Sequence, residues 1–354
     1  MAKIPESFQN ATDPSSSGDK DLHRLETLET MPSMGGVLFK GFLLSMLRPK
    51  KPSSHTRLEH SGILIQGVVA DPLKLDRFRQ VCQSPRDNRL LPPVFIQSMF
   101  VPLLGRYLTS SMFPLSPMGL IHTRQQITQY GPVKEDAALD LFCGLKAMRN
   151  VEKGVELDFG LEVTAQGEKV WKGRSVFLIK TGSTSGPRSG ASPSKAGQDP
   201  TADTGLPVQY RFSANKHTGR DYAKASGDYN PHHLYPLFAK ALGFKTSIAH
   251  GMWTMGRTLA ALEDEVFSKE KSNIFPLVID TGFKLPVYLP APLTLGYAFQ
   301  SMGQAQEGQK QKDAPDSADL EFEVLNADTR LPHLKGHVQY RAALLHGSSD
   351  RVSA

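Results

Sequence analysis

Apolar and polar positions divide the chain into two halves that carry the same order of predicted elements. Each half contains an apolar segment of helical length, at 93–108 in the first and at 251–266 in the second. Three strand-like runs follow it in each half, at 137–148, 155–165, 169–181, 293–301, 318–326 and 334–345. A long helix followed by several antiparallel strands predicts an α+β domain in which a sheet wraps around a helix.

Short motifs also repeat between the halves. A Glu-Val pair, a turn and a Lys-Gly pair occur at 162–173 in the first half and again at 323–336 in the second. We therefore expect two similar domains in tandem, at 57–183 and at 207–345.

Two polar segments flank these domains. Residues 1–33 are rich in Ser, Asp and Glu, and such a composition buries too little apolar surface to fold, so we expect disorder there. Residues 184–206 are rich in Ser, Gly, Pro and Thr and are typical of a linker.

Charge and cysteine content narrow the class of protein. The 354-residue chain carries a net charge of +6, but its basic residues are scattered apart from 48–51, so we do not expect nucleic-acid binding. The two cysteines, Cys82 and Cys143, lie far apart without a metal-ligand pattern, which indicates a reducing compartment. The N-terminal segment does not look like a signal or transit peptide, and the C-terminus is not a peroxisomal tripeptide. We expect an intracellular, soluble protein of the cytoplasm or the mitochondrion.

The apolar run at 37–47 is too short to span a bilayer. Its periodicity predicts an amphipathic helix that packs against the body of the protein through Leu38, Phe42, Leu43 and Met46. The alternative is weak contact with a membrane surface through 37–51, because Arg48, Lys50 and Lys51 follow the apolar run.

The segment 226–251 carries the candidate chemistry. Asp228 is followed five residues later by His233, and a His-Gly pair, His250 and Gly251, opens the predicted helix at 251–266. A carboxylate and an imidazole can move protons, and the positive end of a helix can hold a developing oxyanion. Each element alone has an ordinary structural explanation, such as a turn before a helix.

Local sequence signals explain this spacing. Thr218 can cap a helix that ends near Ser226, and Gly227 suits a left-handed exit from it. Pro231 suits the first position of a second helix, predicted at 232–242 with Gly243 as its stop.

The complete string resembles the signature of the MaoC-like (R)-specific enoyl-thioester hydratases, which also act as 3-hydroxyacyl-thioester dehydratases. The matching residues are Gly227, Asp228, Asn230, Pro231, His233, Gly243, Phe244, Ile248, His250, Gly251 and Met252. Two positions depart from the family pattern, Tyr235 and Ser247, and neither is catalytic in the family.

The resemblance implies a tandem, or double, hotdog fold and the reversible dehydration of (3R)-3-hydroxyacyl thioesters. It assigns Asp228 and His233 to the proton-transferring dyad, Asn230 to its orientation and the Gly251 N–H to the thioester oxygen, with His250 supporting the loop at the substrate. It implies no metal and no redox cofactor. The substrate would be carried by coenzyme A or by acyl carrier protein, and a mildly basic surface suits such polyanions.

The first half does not repeat the motif. It has Asp71 without a histidine five residues later, and Val94, Phe95 and Ile96 where the second half has Ala-His-Gly. We therefore expect one active site, with the first half shaping an acyl tunnel. Candidates for its lining are Phe95, Met99, Phe100, Leu103 and Leu104, although all five also suit the core of the first helix.

Two other functions remain open for this fold, a non-catalytic acyl-binding or scaffold protein and a hotdog thioesterase, since fold alone does not fix activity. The intact Asp228–His233 pair argues against both. The chain could act as a monomer, in which the two domains form a pseudo-dimer, or as a homodimer. Acyl chain length, physiological direction and the assignment of protons within the dyad are left open.

Overall fold

The computed structural model describes residues 24–51, 61–85, 89–180, 205–267, 274–300 and 317–341. The linker prediction at 184–206 lies almost entirely outside them, as does the predicted disorder over 1–23. The chain divides into two compact units. The first takes in the described residues of 1–71, 96–125 and 135–195, and the second those of 72–95, 126–134 and 196–354.

Eight helices and eleven strands form the described part of the chain. The helices are α1 (Met34–Leu47), α2 (Pro72–Cys82), α3 (Pro93–Ser98), α4 (Val101–Leu108), α5 (Thr218–Ser226), α6 (Pro231–Leu234), α7 (Pro236–Ala241) and α8 (Gly251–Glu265). The strands are β1 (Arg24–Leu28), β2 (Ser61–Val68), β3 (Ile121–Gln129), β4 (Leu139–Val151), β5 (Gly154–Ala165), β6 (Glu168–Lys180), β7 (Val208–Ala214), β8 (Leu277–Phe283), β9 (Ala291–Phe299), β10 (Ser317–Asn326) and β11 (Pro332–Arg341). All six strand-like runs predicted from the alternation are present, as β4 to β6 and β9 to β11.

The predicted repeat is confirmed by the strand order. In the first half of the chain the order is β2-β4-β5-β6-β3, and in the second it is β7-β9-β10-β11-β8. In both halves one strand leads into the helices, and four antiparallel strands follow them. The protein is therefore a tandem hotdog fold of the α+β class.

The first sheet carries one additional strand. β1 pairs in parallel with β2, and Leu25 packs against Leu64 and Phe142. The expected disorder over 1–33 is therefore wrong for 24–28, because this short alternating segment finds an open sheet edge and an apolar cluster that its composition does not reveal.

The long helix α8 forms the centre of the second unit. Every residue from Met252 to Leu262 is buried. Its polar side chains are satisfied from within or nearby: Thr258 donates to the carbonyl of Thr254, and Arg257 donates to the hydroxyl of Tyr210. A helix that is buried on all sides agrees with a sheet that wraps around it.

The corresponding helix of the first half is broken. The sequence predicts one helix at 93–108, but the structure has α3 and α4 separated by Met99 and Phe100. Pro102 lacks the N–H that would bond to Ser98, so the chain starts a new helix there instead of continuing the old one.

A proline also divides the helix predicted at 232–242. Tyr235 is extended, with φ −140° and ψ 137°, and Pro236 starts α7. The stop is as predicted, because Gly243 adopts a φ of +86°. Thr218 is not a cap but the first residue of α5, and His217 occupies the capping position.

The packing predicted for α1 is wrong, although the helix itself is present. Leu38, Phe42, Leu43 and Met46 are all exposed, and Gly41 is the one residue of the helix that is fully buried. The opposite face packs against the rest of the first unit, with Val37 on Gly105 and Gly41 near Thr109. Among the described residues no helix is long and apolar enough to cross a membrane.

Candidate active site

The turn after α5 holds Asp228 in a fixed backbone conformation. Gly227 ends the helix with a φ of +81°, which is the predicted left-handed exit. The Ser226 hydroxyl donates to the carbonyl of Tyr222 at 2.9 Å and accepts the Asp228 N–H at 3.1 Å. These two hydrogen bonds and the left-handed Gly227 therefore fix the backbone conformation of the turn that carries Asp228.

Asn230 orients the Asp228 carboxylate. Its backbone N–H and its side-chain amide both donate to Oδ1 of Asp228, at 3.2 and 2.7 Å. Oδ2 lies 3.9 Å from Nε2 of His250, and the Asp228 side chain is 28% exposed. One carboxylate oxygen is thus anchored, and the other faces the site.

His233 is held by a backbone carbonyl. Its Nδ1 lies 2.9 Å from the oxygen of Ile248, and because a carbonyl can only accept, Nδ1 must carry the proton. Its Nε2 is then an unprotonated nitrogen with a lone pair. The ring is buried, which restricts it to this orientation.

The break at Pro236 explains how Ile248 reaches His233. Pro236 cannot donate to the carbonyl of His232, and that carbonyl instead accepts the N–H of Ile248 at 3.2 Å. The Ile248 carbonyl then accepts from His233, so two consecutive backbone groups attach the segment before α8 to α6.

His250 is the second buried imidazole of the site. Its Nε2 donates to the backbone carbonyl of Asp228 at 2.9 Å, and its Nδ1 has no hydrogen-bond partner among the described residues. The rings of His233 and His250 stack with centroids 3.6 Å apart, and Tyr222 covers His250 at 5.0 Å. His250 therefore connects α8 to the turn that carries Asp228.

Burial keeps both imidazoles neutral. It lowers the pKa of His250 to about 3, against the smaller opposing effect of its bond to Asp228. Burial, followed by the neighbouring His250 and His232, holds the pKa of His233 well below its usual value. The site thus combines a carboxylate with an uncharged base at neutral pH.

Gly251 starts α8 beside these groups. The first N–H groups of a helix have no partner within it, and the capping residue His250 makes no side-chain bond to them. An added Cβ at Gly251 would lie 2.8 Å from the ring of Phe283, so the helix start is packed closely. Its N–H groups and the helix dipole can stabilise negative charge on an oxygen.

The predicted tunnel residues divide into several groups. Phe95 is buried in the second unit and contacts Phe78 at 5.4 Å, which in turn contacts Tyr222 at 6.0 Å. Phe100 is buried in the first unit and stacks on Trp171. Leu103 and Leu104 are also buried there, and Met99 is partly exposed. Phe95 thus reaches the site through an aromatic series, and a lining role for any of the five stays a prediction.

One ligand atom each from Asp228, His233 and His250 lies within 4.8 Å of the others. A carboxylate and two imidazoles are also suitable ligands for a transition metal. The expectation of a metal-free site stays a prediction.

The matching of Asp71 with Asp228 is wrong. Asp71 directly precedes α2, whereas Asp228 follows α5, and these two helices occupy equivalent places after β2 and β7. The counterpart of the Asp228 turn lies after α2, where residues 83–92 contain no histidine. The error arose because an Asp-Pro pair and an Asn-Pro pair both precede a helix.

Three groups that build the site are not predicted by the sequence motif, and they are the Ser226 hydroxyl, the Tyr222 ring and the Ile248 carbonyl. Tyr222 and Ser226 are four residues apart and therefore share a face of α5, which was a usable signal. No sequence signal marks a backbone carbonyl as the partner of a histidine.

Both cysteines are buried and unpaired by disulfides. Cys82 lies against α8, where its Sγ is 3.0 Å from the position of a Cβ added to Gly256. Burial raises the pKa of Cys143 to about 12 and that of Cys82 further still.

Comparison with known proteins finds a family match over the part of the chain that carries this site. Residues 192–319 match the family described as MaoC like domain. Over 235 residues the chain is 27% identical to 3-hydroxyacyl-thioester dehydratase X of Mycobacterium tuberculosis, which covers 66% of this chain and 79% of that protein. It is 29% identical over 157 residues to peroxisomal enoyl-CoA hydratase 2 of Arabidopsis thaliana, covering 42% of this chain and 51% of that protein.

The fold has a similar match among solved structures. The crystal structure of HtdX from Mycobacterium tuberculosis superposes with a TM-score of 0.60 at 25% identity, over 79% of this chain and 99% of that one. The protein has a tandem hotdog fold, and the part of the chain that matches the MaoC like domain, residues 192–319, contains the whole segment from Asp228 to Gly251.

Proposed function

We propose that this chain catalyses the reversible dehydration of (3R)-3-hydroxyacyl thioesters to trans-2-enoyl thioesters in fatty-acid metabolism. The observation that carries the proposal is the pairing of the anchored Asp228 carboxylate with a neutral His233 whose Nε2 is unprotonated. The names of the related dehydratase and hydratase support the same reaction. Such an enzyme is a hydro-lyase.

In the direction of hydration, a water molecule would be held by Asp228 and His233, both of which accept hydrogen bonds. Its oxygen adds to C3 of the enoyl group while one member of the pair takes its proton. The pair delivers a proton to C2, so water is added across the double bond and the pair returns to its initial state. General acid–base groups of this kind typically contribute about 10²–10⁴-fold to the rate.

The thioester oxygen becomes negative while C2 is not yet protonated. The Gly251 N–H at the start of α8 is the donor that we assign to it, and the helix dipole acts in the same sense. Removal of one such donor typically costs roughly 2.7–4 kcal/mol of transition-state stabilisation. In this proposal His250 supports the loop at the substrate, and Phe95 lines the acyl site.

A single assay separates the possible functions. Crotonyl-CoA and its carrier-protein equivalent are incubated with the protein, and enoyl absorbance and free thiol are followed together. Loss of absorbance without free thiol supports the proposal, and it should persist in EDTA. Free thiol would indicate a thioesterase, and no change in either signal with any thioester would indicate a scaffold.

The stereochemistry of the product gives a second test. A proton-transferring pair on one side of the substrate, with the carbonyl oxygen fixed by Gly251, can deliver water to only one face of C3. The hydration product should therefore be a single enantiomer by chiral analysis, and the resemblance to the (R)-specific hydratases implies the (3R) alcohol. A racemic product would contradict the proposed geometry, and a (3S) product would contradict the proposed reaction.

A further inference from the structure

Helix α1 is attached to the rest of the first unit by one narrow face. Val37 packs so closely on α4 that a Cβ added to Gly105 would lie 2.5 Å from its Cγ1. One turn later, a Cβ at Gly41 would lie 3.7 Å from Thr109. At the end of the helix the Arg48 guanidinium donates to the carbonyls of Leu108, Ser110 and Phe113. These contacts fix the orientation of α1.

The opposite face of α1 is a continuous apolar stripe that faces solvent. Its residues are alternately three positions and one position apart in the sequence, and this spacing places them on one side of a helix. They are between 43% and 80% exposed, and they are Phe39, Phe42, Leu43, Met46 and Leu47. This helix is the most concentrated group of exposed large apolar side chains in the described part of the chain.

Positive charge borders this stripe. The helix has no acidic residue, and Lys40 and Lys50 are exposed within it and just beyond its end. Lys40 also lines a cleft of about 560 Å³ together with Arg24, and the one acidic residue of that cleft, Glu26, is paired with Arg106.

We propose that the α1 face docks the protein onto an anionic lipid surface. At 14 residues the helix is about 21 Å long, which is shorter than the roughly 30 Å of bilayer hydrocarbon, so it would lie along the interface. Large apolar side chains on one face with lysines at its border are the combination that binds such interfaces. An acidic carrier protein would account for the lysines but not for five exposed apolar side chains.

Vesicle co-sedimentation of the full-length protein tests this proposal. Vesicles of phosphatidylcholine mixed with phosphatidylserine are compared with vesicles of phosphatidylcholine alone. The wild-type protein should bind the mixed vesicles more strongly. The double variant Phe39→Ser/Phe42→Ser should weaken binding at least about tenfold, because it removes two apolar anchors.

Charge variants test the second half of the proposal. Lys40→Gln and Lys50→Gln should each weaken binding to the anionic vesicles by about fivefold and reduce the preference for phosphatidylserine. Leu331→Ser, which changes an exposed apolar residue elsewhere, is the matched control and should bind as the wild type does. Thermal unfolding of every variant should match the wild type, since these side chains are exposed.

Three results would overturn the proposal. The wild type could fail to bind either vesicle, or Phe39→Ser/Phe42→Ser could bind as the wild type does. Alternatively, that variant could change the sedimentation coefficient in the absence of lipid, which would show that the face joins two copies of the chain. None of these readouts depends on turnover, so they leave the proposed function untouched.

Discussion

At the scale of single residues, the direction of one hydrogen bond determines what His233 can do. The Ile248 carbonyl fixes the proton on Nδ1, and Nε2 is left as the basic atom. His250 is fixed in the opposite sense, with its proton on Nε2 and a lone pair on Nδ1. The two stacked imidazoles therefore present different ring nitrogens to the site, and this difference cannot be derived from the sequence around His233 and His250.

Substitution of the dyad should abolish most of the activity without unfolding the protein. Asp228→Asn removes the charge and His233→Ala removes the base, and each should lower turnover at least about a hundredfold. His337→Ala, at an exposed position on β11, is the control for loss of a histidine. Activity of either dyad variant within a few-fold of wild type would remove the assignment.

The buried histidines should make stability depend on pH. Their unfolded pKa is about 6.5, and the folded pKa of His250 is about 3, so the unfolded state binds more protons between these values. Stability from this group is complete above pH 6.5 and is lost as the pH falls, by about 1.4 kcal/mol per pH unit. The free energy of unfolding, measured in urea at several pH values, should fall less steeply with decreasing pH in His250→Asn than in the wild type below pH 6.5. An unchanged dependence on pH would contradict the assignment.

At the scale of elements, proline and glycine decide where the site residues lie. The sequence predicts the exit of α5 and the start of α6 well, because Gly227 and Pro231 act locally. It does not predict the break at Pro236 and its result, since the freed His232 carbonyl is used by Ile248, 16 positions along the chain. Residues such as glycine and proline indicate where a helix begins or ends, because they act locally. A hydrogen bond between residues far apart in the sequence can be identified only once the fold is known.

Gly219 tests the contact between α5 and α6. A Cβ there would lie 2.1 Å from the carbonyl oxygen of His233, which is backbone and cannot move aside alone. Gly219→Ala should therefore separate the two helices, lower stability by about 1–3 kcal/mol and reduce turnover by displacing His233.

The control for this variant is Gly131→Ala. An added Cβ at Gly131 meets nothing within 4 Å, so its stability and turnover should stay close to wild type. If Gly219→Ala keeps full activity and stability, the close contact does not position His233.

At the scale of the whole molecule, the sequence predicts the repeat of helix and strands but not the additional strand β1. Six of the strands were predicted as strand-like runs, three after the helical segment of each half, and the repeat follows from them. The strand β1 was missed because a five-residue segment becomes ordered only through its partners Leu64 and Phe142. The candidate residues Asp228, His233 and Gly251 could be named from the sequence because they lie in one short segment, whereas the partners that orient them required the structure.

The repeat also predicts the number of substrate sites. The stretch after α2 that corresponds to the Asp228 turn has no histidine, so only the second half of the chain can form the dyad. Calorimetric titration with an unreactive thioether analogue of an enoyl thioester should give one site per chain, and Asp71→Asn should leave turnover nearly unchanged. Two equal sites per chain, or a loss with Asp71→Asn like that of Asp228→Asn, would show that the first half of the chain is active.

The state of the two cysteines has a consequence for an enzyme that handles activated acyl groups. A thiolate exchanges readily with a thioester, and the acyl group would then be trapped on the protein. Cys82 and Cys143 are enclosed, and their high pKa keeps them as thiols, which are poor nucleophiles. The folded protein should therefore resist self-acylation by its own substrate and alkylation by iodoacetamide, and it should lose that resistance only on unfolding.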